Sequence, residues 1–170
     1  ANAKDVAVGK RKGLSEGLLD RLLLTKERME GIIADVRNIA GLKDYVGSVI
    51  EERELPNGLF LRRLRVPLGV VAMIYEARPN VTVDAACLCL KSGNAVILKG
   101  GSDAINSNRA IVSSIQSVLK ETSFLEPTSR LQDLVQLVDS TDYAVTKELL
   151  SLNNFIDVVI PRGSMKLINF

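Results

Sequence analysis

The sequence predicts an α/β fold, a doubly wound parallel sheet that carries a β-hairpin arm. From residue 67 onward, four short apolar segments alternate with three segments of helical periodicity. Strands that alternate with helices pair in parallel, because each parallel pair needs a crossover connection. Ahead of them, two strand-like segments flank Pro56-Asn57-Gly58, a turn sequence typical of a hairpin. The 170 residues, with 46% hydrophobic content, are enough for a packed core.

The first region, residues 1–48, is predicted to be helical and connecting sequence. Apolar residues recur at helical spacing across residues 14–39 with one interruption, which fits two consecutive helices. Thr25 stands at the interruption and is suited to cap the second helix. The basic run Lys10-Arg11-Lys12 is interpreted as a solvated segment rather than a phosphate-binding patch.

The hairpin arm is predicted over residues 49–66. Asn57 and Gly58 both tolerate positive φ, which suits a tight turn. Each face of the second strand mixes apolar residues with arginine, so neither face is cleanly apolar and we expect a partner subunit or another part of the chain to cover it. The alternating sets are Leu59, Leu61 and Arg63 on one face and Phe60, Arg62 and Leu64 on the other.

Residues 67–170 are predicted to form the sheet domain. Its parallel strands should place their carboxyl ends along one rim, where ligands of open α/β sheets collect. In chain order the predicted elements are a strand Gly69–Tyr75, a polar segment Glu76–Asn80, a helix Val81–Leu90, a strand Ala95–Leu98, a helix Ala104–Lys120 capped by Ser102 or Asp103, a strand Leu134–Val138, a helix Thr141–Leu152 and a strand Phe155–Ile160.

The segment Lys99-Gly100-Gly101-Ser102 lies between a strand and the following helix. Its glycines allow a ligand close to the backbone, the N–H groups of the helix favour anions, and the lysine adds a positive charge. The pattern is neither GxGxxG nor a Walker A loop. A phosphate or ribose site and an ordinary tight turn therefore both remain open from spacing alone.

Two arginines follow predicted strands. Arg78 either clamps a carboxylate or phosphate or pairs with Glu76, and the ion pair is slightly favoured from the sequence. The segment Pro161-Arg162-Gly163-Ser164 repeats the layout of strand end, arginine and glycine. Two such ends on neighbouring strands would face one crevice.

Composition excludes several kinds of chemistry. The chain has no histidine, so Ser-His-Asp and Cys-His pairs and most zinc sites are ruled out, and no metal is expected. Cys87 and Cys89 are interpreted as core residues of a buried helix, because side chains two positions apart on a helix point to different sides and cannot meet one ligand.

The net charge of +2 gives no sign of nucleic-acid binding. No apolar run reaches the roughly 18 residues of a membrane span, and no signal-peptide pattern opens the chain, so we predict a cytoplasmic protein.

Three segments carry a family resemblance: VPLGVVAMIYEARPN at 66–80, SGNAVILKGG at 92–101 and VIPRG at 159–163. They closely resemble the γ-glutamyl phosphate reductase (glutamate-5-semialdehyde dehydrogenase) family, within the aldehyde dehydrogenase superfamily. The resemblance implies a Rossmann-like cofactor domain and an NADPH-dependent oxidoreductase of proline biosynthesis. Members of the γ-glutamyl phosphate reductase family convert L-glutamyl 5-phosphate to L-glutamate 5-semialdehyde and phosphate. A cysteine thiolate attacks the acyl phosphate, and a hydride is then transferred to the resulting thioester.

The resemblance also implies roles for residues of this chain. Lys99 matches the lysine that reaches the adenosine ribose, and Gly163 and Ser164 match a pair beside the dinucleotide, although the family often has glycine where this chain has Ser164. The cofactor set is then Lys99, Gly100, Gly101, Gly163 and Ser164, and the substrate set is Arg78 and Asn80.

The family's nucleophilic cysteine matches neither Cys87 nor Cys89. We therefore expect this chain to be an N-terminal part of a longer protein, lacking its first segment and its catalytic domain and inactive by itself. The hairpin matches the family's oligomerisation arm, so a homo-oligomer is expected, and glutamate 5-kinase is a further expected partner. Three alternatives stay open: the reductase part of a bifunctional pyrroline-5-carboxylate synthase, a non-catalytic nucleotide-binding fragment, and a purely structural or assembly fragment.

Overall fold

The computed structural model describes residues 1–122 and 130–163, which form a four-stranded parallel sheet flanked by helices and a separate two-stranded hairpin. The helices are α1 (Asn2–Arg11), α2 (Glu16–Leu22), α3 (Lys26–Ala40), α4 (Pro79–Lys91), α5 (Ile105–Thr122) and α6 (Tyr143–Ser151); the strands are β1 (Val49–Glu54), β2 (Phe60–Leu64), β3 (Val70–Tyr75), β4 (Ala95–Gly100), β5 (Val135–Leu137) and β6 (Val158–Arg162). Short 3-10 turns lie at Ser102–Ala104 and Leu131–Leu134.

The sheet has the order β5-β4-β3-β6, and all three neighbouring pairs are parallel. The chain runs outward from β3 through β4 to β5, then returns across the sheet to place β6 on the other side of β3. The predicted α/β fold with a doubly wound parallel sheet is confirmed. Its order reverses at β3, and such a reversal opens a crevice at the carboxyl ends of the strands.

Two apolar clusters cover the two faces of the sheet. On one face, Val96 and Leu98 of β4 pack with Ala86 of α4 and Val112 of α5. On the other face, Ala72 and Ile74 of β3 pack with Leu149 of α6 and with Ile156. Adjacent strand residues alternate between the clusters, which is the period-two pattern of a strand buried on both faces.

Of the element boundaries that differ from the predictions, three move a candidate residue. Strand β4 continues through Lys99 and Gly100, because Gly100 pairs in register with Tyr75. Helix α4 begins at Pro79, since proline suits the first helical position, where no N–H is needed. Strand β6 includes Pro161 and Arg162, and proline is tolerated there because β6 is an edge strand.

The hairpin confirms the predicted arm, but its turn differs. Gly58 has φ +80°, whereas Asn57 does not have positive φ. The amide of Gly58 donates to the carbonyl oxygen of Leu55 at 2.9 Å and that of Leu55 to the carbonyl of Leu59 at 2.8 Å. This is a β-turn followed by a glycine bulge rather than a two-residue turn. All residues of β1 and β2 are exposed, as expected for a ribbon that contacts no core.

The two consecutive helices predicted over residues 14–39 are confirmed as α2 and α3, and a further helix, α1, precedes them. Helix α1 takes in Lys10 and Arg11 of the basic run. As predicted, the Thr25 hydroxyl caps α3, accepting from the amide of Arg28 at 3.2 Å. Helix α1 packs against α5, and α3 packs against α4. The division into residues 1–48, 49–66 and 67–170 stays a prediction.

The start of α5 is capped by Asp5 of α1, not by Ser102 or Asp103. One carboxylate oxygen of Asp5 accepts from the backbone and side-chain N–H groups of Asn106 at 3.2 and 2.7 Å. The other accepts from the amide and hydroxyl of Ser107 at 2.7 and 2.6 Å. Asp103 instead pairs with Lys12 at 3.2 Å. A cap 101 residues away carries no local sequence signal, so the pattern pointed to the nearer residues.

None of the helices in residues 1–122 and 130–163 has the length and apolar character that a membrane span requires.

Candidate functional site

A cavity of about 640 Å³ lies at the carboxyl ends of β3, β4 and β6, where the order of the sheet reverses. Its position is that of the ligand crevice of doubly wound folds. The strand ends and the segments that follow them supply most of the wall, and helices α2 and α4 contribute to it. The lining residues are Leu18, Arg21, Tyr75, Glu76, Ala77, Arg78, Val81, Gly101, Ser102, Asp103, Arg162 and Gly163. We refer to it as the arginine crevice.

A second cavity of about 290 Å³ lies toward α6. It shares the β3 and β4 ends with the arginine crevice, so the two cavities are neighbours at the sheet edge. Its lining residues are Ile74, Tyr75, Glu76, Lys99, Gly100, Gly101, Ser102, Thr141, Tyr143 and Thr146. We refer to it as the lysine pocket. The predicted cofactor residues thus divide, with Lys99 and Gly100 in this pocket, Gly163 in the crevice, and Gly101 in both.

Lys99 is buried, with 6% of its surface exposed. Its Nζ donates to the carbonyl oxygen of Ser140 at 2.9 Å and more weakly to that of Gly100 at 3.4 Å. Burial lowers the pKa of Lys99, and the nearby carboxylate of Asp142 opposes that shift. An ammonium group has three donors, so the two carbonyls leave one for a ligand in the pocket.

Gly100 is required by packing as much as by any ligand. A Cβ there would lie 2.2 Å from Nδ2 of Asn108, a fully buried residue that is hydrogen-bonded through its Oδ1 to Thr82 at 2.8 Å. Thr82 in turn meets the hydroxyl of Tyr75 at 2.6 Å. Burial raises the pKa of Tyr75 to about 12, so its hydroxyl keeps its proton. This network fixes the ends of β3 and β4 relative to α4 and α5.

Gly101 is in a different situation. A Cβ added there would make ordinary contacts of 3.5 Å or more with the backbone around Glu76. The protein interior would therefore accept a side chain at Gly101, a residue that lines both cavities. The space that glycine leaves at this position is available to a ligand.

The N–H groups of α5, which the sequence offered as an anion site, are engaged. The Asp5 carboxylate accepts from the amides of Asn106 and Ser107. It already provides the negative charge that a helix N-terminus attracts. Positive charge for an anionic ligand must then come from side chains.

Arg78 and Arg162 both line the arginine crevice, as their matching strand-end positions predicted. The ion pair between Glu76 and Arg78 that the sequence slightly favoured is absent from the described residues; the amide of Arg78 instead donates to the Glu76 carbonyl at 2.6 Å. Arg162 interacts electrostatically with Asp84.

Asn80 lies in the first turn of α4 and lines neither cavity. Its amide donates to the carboxylate of Asp84 at 3.3 Å. Burial and then the charge of Asp35 raise the pKa of Asp84, whereas Asn80 and Arg162 oppose the rise. A substrate role for Asn80 stays a prediction, and Ser164 lies outside the described residues.

The two cysteines of α4 are free and half-buried, and Cys89 packs against the larger apolar cluster. Burial raises the pKa of both thiols, and the charge of Asp84 raises that of Cys87 further. A reactive cysteine needs the opposite, a lowered pKa beside positive charge. Within the described residues, no group of His, Cys, Asp or Glu side chains is placed to hold a metal ion.

Two groups of cavity residues were not predicted from the sequence. Leu18 and Arg21 reach the crevice from α2, and their position depends on how the N-terminal helices dock. Thr141, Tyr143 and Thr146 reach the lysine pocket from α6 and the loop before it. For that second group the signal was present, because a segment that follows β5 in a doubly wound sheet must pass near the same edge.

No family model matches the chain, but individual relatives do. It is 52% identical over 167 residues to the γ-glutamyl phosphate reductase of Anoxybacillus flavithermus, covering 98% of this chain and 39% of the relative. It is 50% identical to that of Tolumonas auensis, covering 98% and 38%. The crystal structure of γ-glutamyl phosphate reductase from Thermotoga maritima superposes with a TM-score of 0.92 at 43% identity, over 99% of this chain and 39% of that one.

The corresponding structure from Saccharomyces cerevisiae has a TM-score of 0.87 at 36% identity, over 98% of this chain and 41% of the yeast chain. This chain is therefore similar in both sequence and fold to bacterial and yeast γ-glutamyl phosphate reductases. The chain spans about two fifths of the length of the proteins it matches. The resemblance drawn from the three sequence motifs is confirmed: over nearly its whole length, this chain is similar to γ-glutamyl phosphate reductases.

Proposed function

We propose that this chain is the cofactor-binding part of an NADPH-dependent γ-glutamyl phosphate reductase that converts L-glutamyl 5-phosphate to L-glutamate 5-semialdehyde and phosphate in proline biosynthesis. The observation that carries the proposal is the meeting of two cavities at the reversal point of the sheet, in a chain 52% identical to a γ-glutamyl phosphate reductase. Ligands of doubly wound sheets bind at this position.

The lysine pocket suits the adenosine half of the cofactor. The remaining N–H of Lys99 is available to a ribose hydroxyl, and Thr141 and Thr146 add hydroxyl groups to the wall. Ile74 and the ring of Tyr143 supply apolar surface for a flat base. The wall thus combines polar groups that can orient a ligand with apolar surface that can cover it.

The arginine crevice suits the rest of the cofactor and the substrate. Gly101 joins the two cavities, so a ligand that begins in the lysine pocket passes this residue to reach the crevice. Gly163 lines the crevice from the end of β6. Arg78 would bind an anionic group of the substrate in two-pronged fashion. When bound, the cofactor supplies hydride; this chain binds and orients it.

The catalytic nucleophile is not assigned to this chain, because the raised pKa values of Cys87 and Cys89 are opposite to what thiolate chemistry needs. We propose that the whole protein supplies a different cysteine. A homo-oligomer through the hairpin is supported by the full exposure of β1 and β2. Association with glutamate 5-kinase and a cytoplasmic location are proposed from the family resemblance.

Titration of the chain with NADPH, followed by cofactor fluorescence, tests the proposal. We expect saturable binding that Lys99→Ala weakens by about tenfold, the loss of one hydrogen bond from a charged donor. Lys120→Ala, which removes an exposed lysine of α5 outside both cavities, should bind like the unaltered chain. NADPH should bind more tightly than NADH.

Absence of NADPH binding in a chain whose circular dichroism shows it to be folded would contradict the proposal. Equal binding by the Lys99→Ala and Lys120→Ala variants would remove Lys99 from the cofactor site.

A further inference from the structure

The arginine crevice has an excess of positive charge. Arg21, Arg78 and Arg162 reach it from three separate elements, while Glu76 and Asp103 are the acidic residues of its wall. Asp103 is already paired with Lys12 at 3.2 Å. The crevice is therefore suited to a ligand with more than one negative charge.

Among residues 1–122 and 130–163, no acidic side chain pairs with Arg21. Asp20, its neighbour in sequence, is bound by Arg28 at 2.7 Å, and no ion pair of the Arg21 or Arg78 side chain occurs within residues 1–122 and 130–163. An exposed guanidinium that lines a cavity in this way keeps its five donors for a ligand. Its planar fork matches the paired oxygens of a carboxylate or phosphate.

The backbone next to Arg21 is held in place. Leu22 is fully buried, and its carbonyl oxygen accepts from the side-chain amide of Asn2 at 2.8 Å. The same side chain accepts from the amide of Leu24 at 2.9 Å and donates to Ser107 of α5 at 3.0 Å. Arg21 is thus positioned relative to the sheet domain by the docking of α1, not by a flexible tail.

Guanidinium side chains supply positive charge for an anion here, whereas the amides of Asn106 and Ser107 at the start of α5 are taken by Asp5. Arg21 lines the cavity from α2, and Arg78 lines it from the segment between β3 and α4, so two separate elements each bring a guanidinium to a ligand with two anionic groups. Leu18 lies three residues before Arg21 and lines the same cavity. It offers apolar surface to a short methylene chain between those groups.

We propose that Arg21 is a specificity-determining residue that binds one oxyanion of the substrate, its carboxylate or its phosphate, while Arg78 binds the other. The inference rests on the proposed function for the identity of the substrate. It assigns a ligand contact to the N-terminal helices, which sequence analysis had placed outside the site.

The test is calorimetric titration of the chain with a phosphonate analogue of L-glutamyl 5-phosphate, in which CH2 replaces the oxygen that bridges the carbonyl carbon and phosphorus. We expect Arg21→Gln to weaken binding by at least about tenfold. Arg21→Lys keeps the positive charge but loses the planar fork of donors. Its affinity for the analogue should lie between those of the unaltered chain and Arg21→Gln. The matched control is Arg37→Gln, an exposed arginine of α3 outside both cavities, and it should leave binding unchanged.

Parallel titrations with L-glutamate and with inorganic phosphate identify the group that Arg21 binds. The ligand whose affinity falls in Arg21→Gln carries that group, and either result supports the proposal. Equal affinity of Arg21→Gln and the unaltered chain for the analogue would overturn it, as would absence of analogue binding in the folded chain. The NADPH titration reports separately on the proposed function, which stands if NADPH binds although Arg21 proves irrelevant.

Discussion

Asp5→Ala should lower the free energy of unfolding by about 3 kcal/mol. The substitution removes a buried carboxylate that accepts several hydrogen bonds, and it leaves the donor groups buried without a partner. Asp5 is 2% exposed and accepts four hydrogen bonds from Asn106 and Ser107. Its negative charge also interacts favourably with the positive end of the α5 helix dipole. Urea denaturation followed by circular dichroism measures the change.

The matched control is Asp20→Ala, the same substitution at an exposed carboxylate paired with Arg28. Exposed ion pairs contribute little, so its effect should stay below about 1 kcal/mol. If the two variants are equally stable, Asp5 is not the cap that joins α1 to α5.

Gly69→Ala is the second change with a large expected effect, a loss of about 3 kcal/mol in the free energy of unfolding. Gly69 has φ +114°, which an L side chain rarely adopts. A Cβ would also lie 2.1 Å from Oδ2 of Asp157, the oxygen that accepts from the amide of Val70 at 2.8 Å. The backbone has little room to move, because the Gly69 amide donates to Asn94 at 2.9 Å.

Thermal or urea unfolding of Gly69→Ala should be compared with Gly31→Ala. Gly31 lies within α3, and no atom would contact its added Cβ within 4 Å. Alanine is favoured over glycine in a helix, so this control should gain up to about 1 kcal/mol. A Gly69→Ala variant as stable as the unaltered chain would show that the β3 start does not need glycine.

The sheet domain could be predicted because the sequence patterns that specify its strands and helices lie within each short segment. Apolar segments of strand length alternate with helical ones, and that alternation forces parallel pairing. The turn before α4 and the end of β4 were misplaced by about two residues. There, tertiary pairing of Gly100 with Tyr75 and the fit of Pro79 at the first helical position decide the boundaries.

The parts that were missed depend on contacts between distant residues. Nothing near Asp5 in the sequence indicates that it caps a helix 101 residues later, and Arg21 lines a crevice whose α2 wall is held by contacts of Asn2 with Leu22 and Ser107. The strand order was equally inaccessible, since β6 returns to the other side of β3. The sequence therefore predicted the strand ends as a site but not the wall that α2 adds.

The most direct test of the central claim, that the two cavities form a nucleotide site, is NMR mapping of the amides of the 15N-labelled chain during NADPH addition. The account predicts the largest shift changes at Gly100, Gly101 and Gly163, and at Thr141 and Tyr143 beside the lysine pocket. Changes confined to the hairpin or to α3, with the strand ends unaffected, would contradict it.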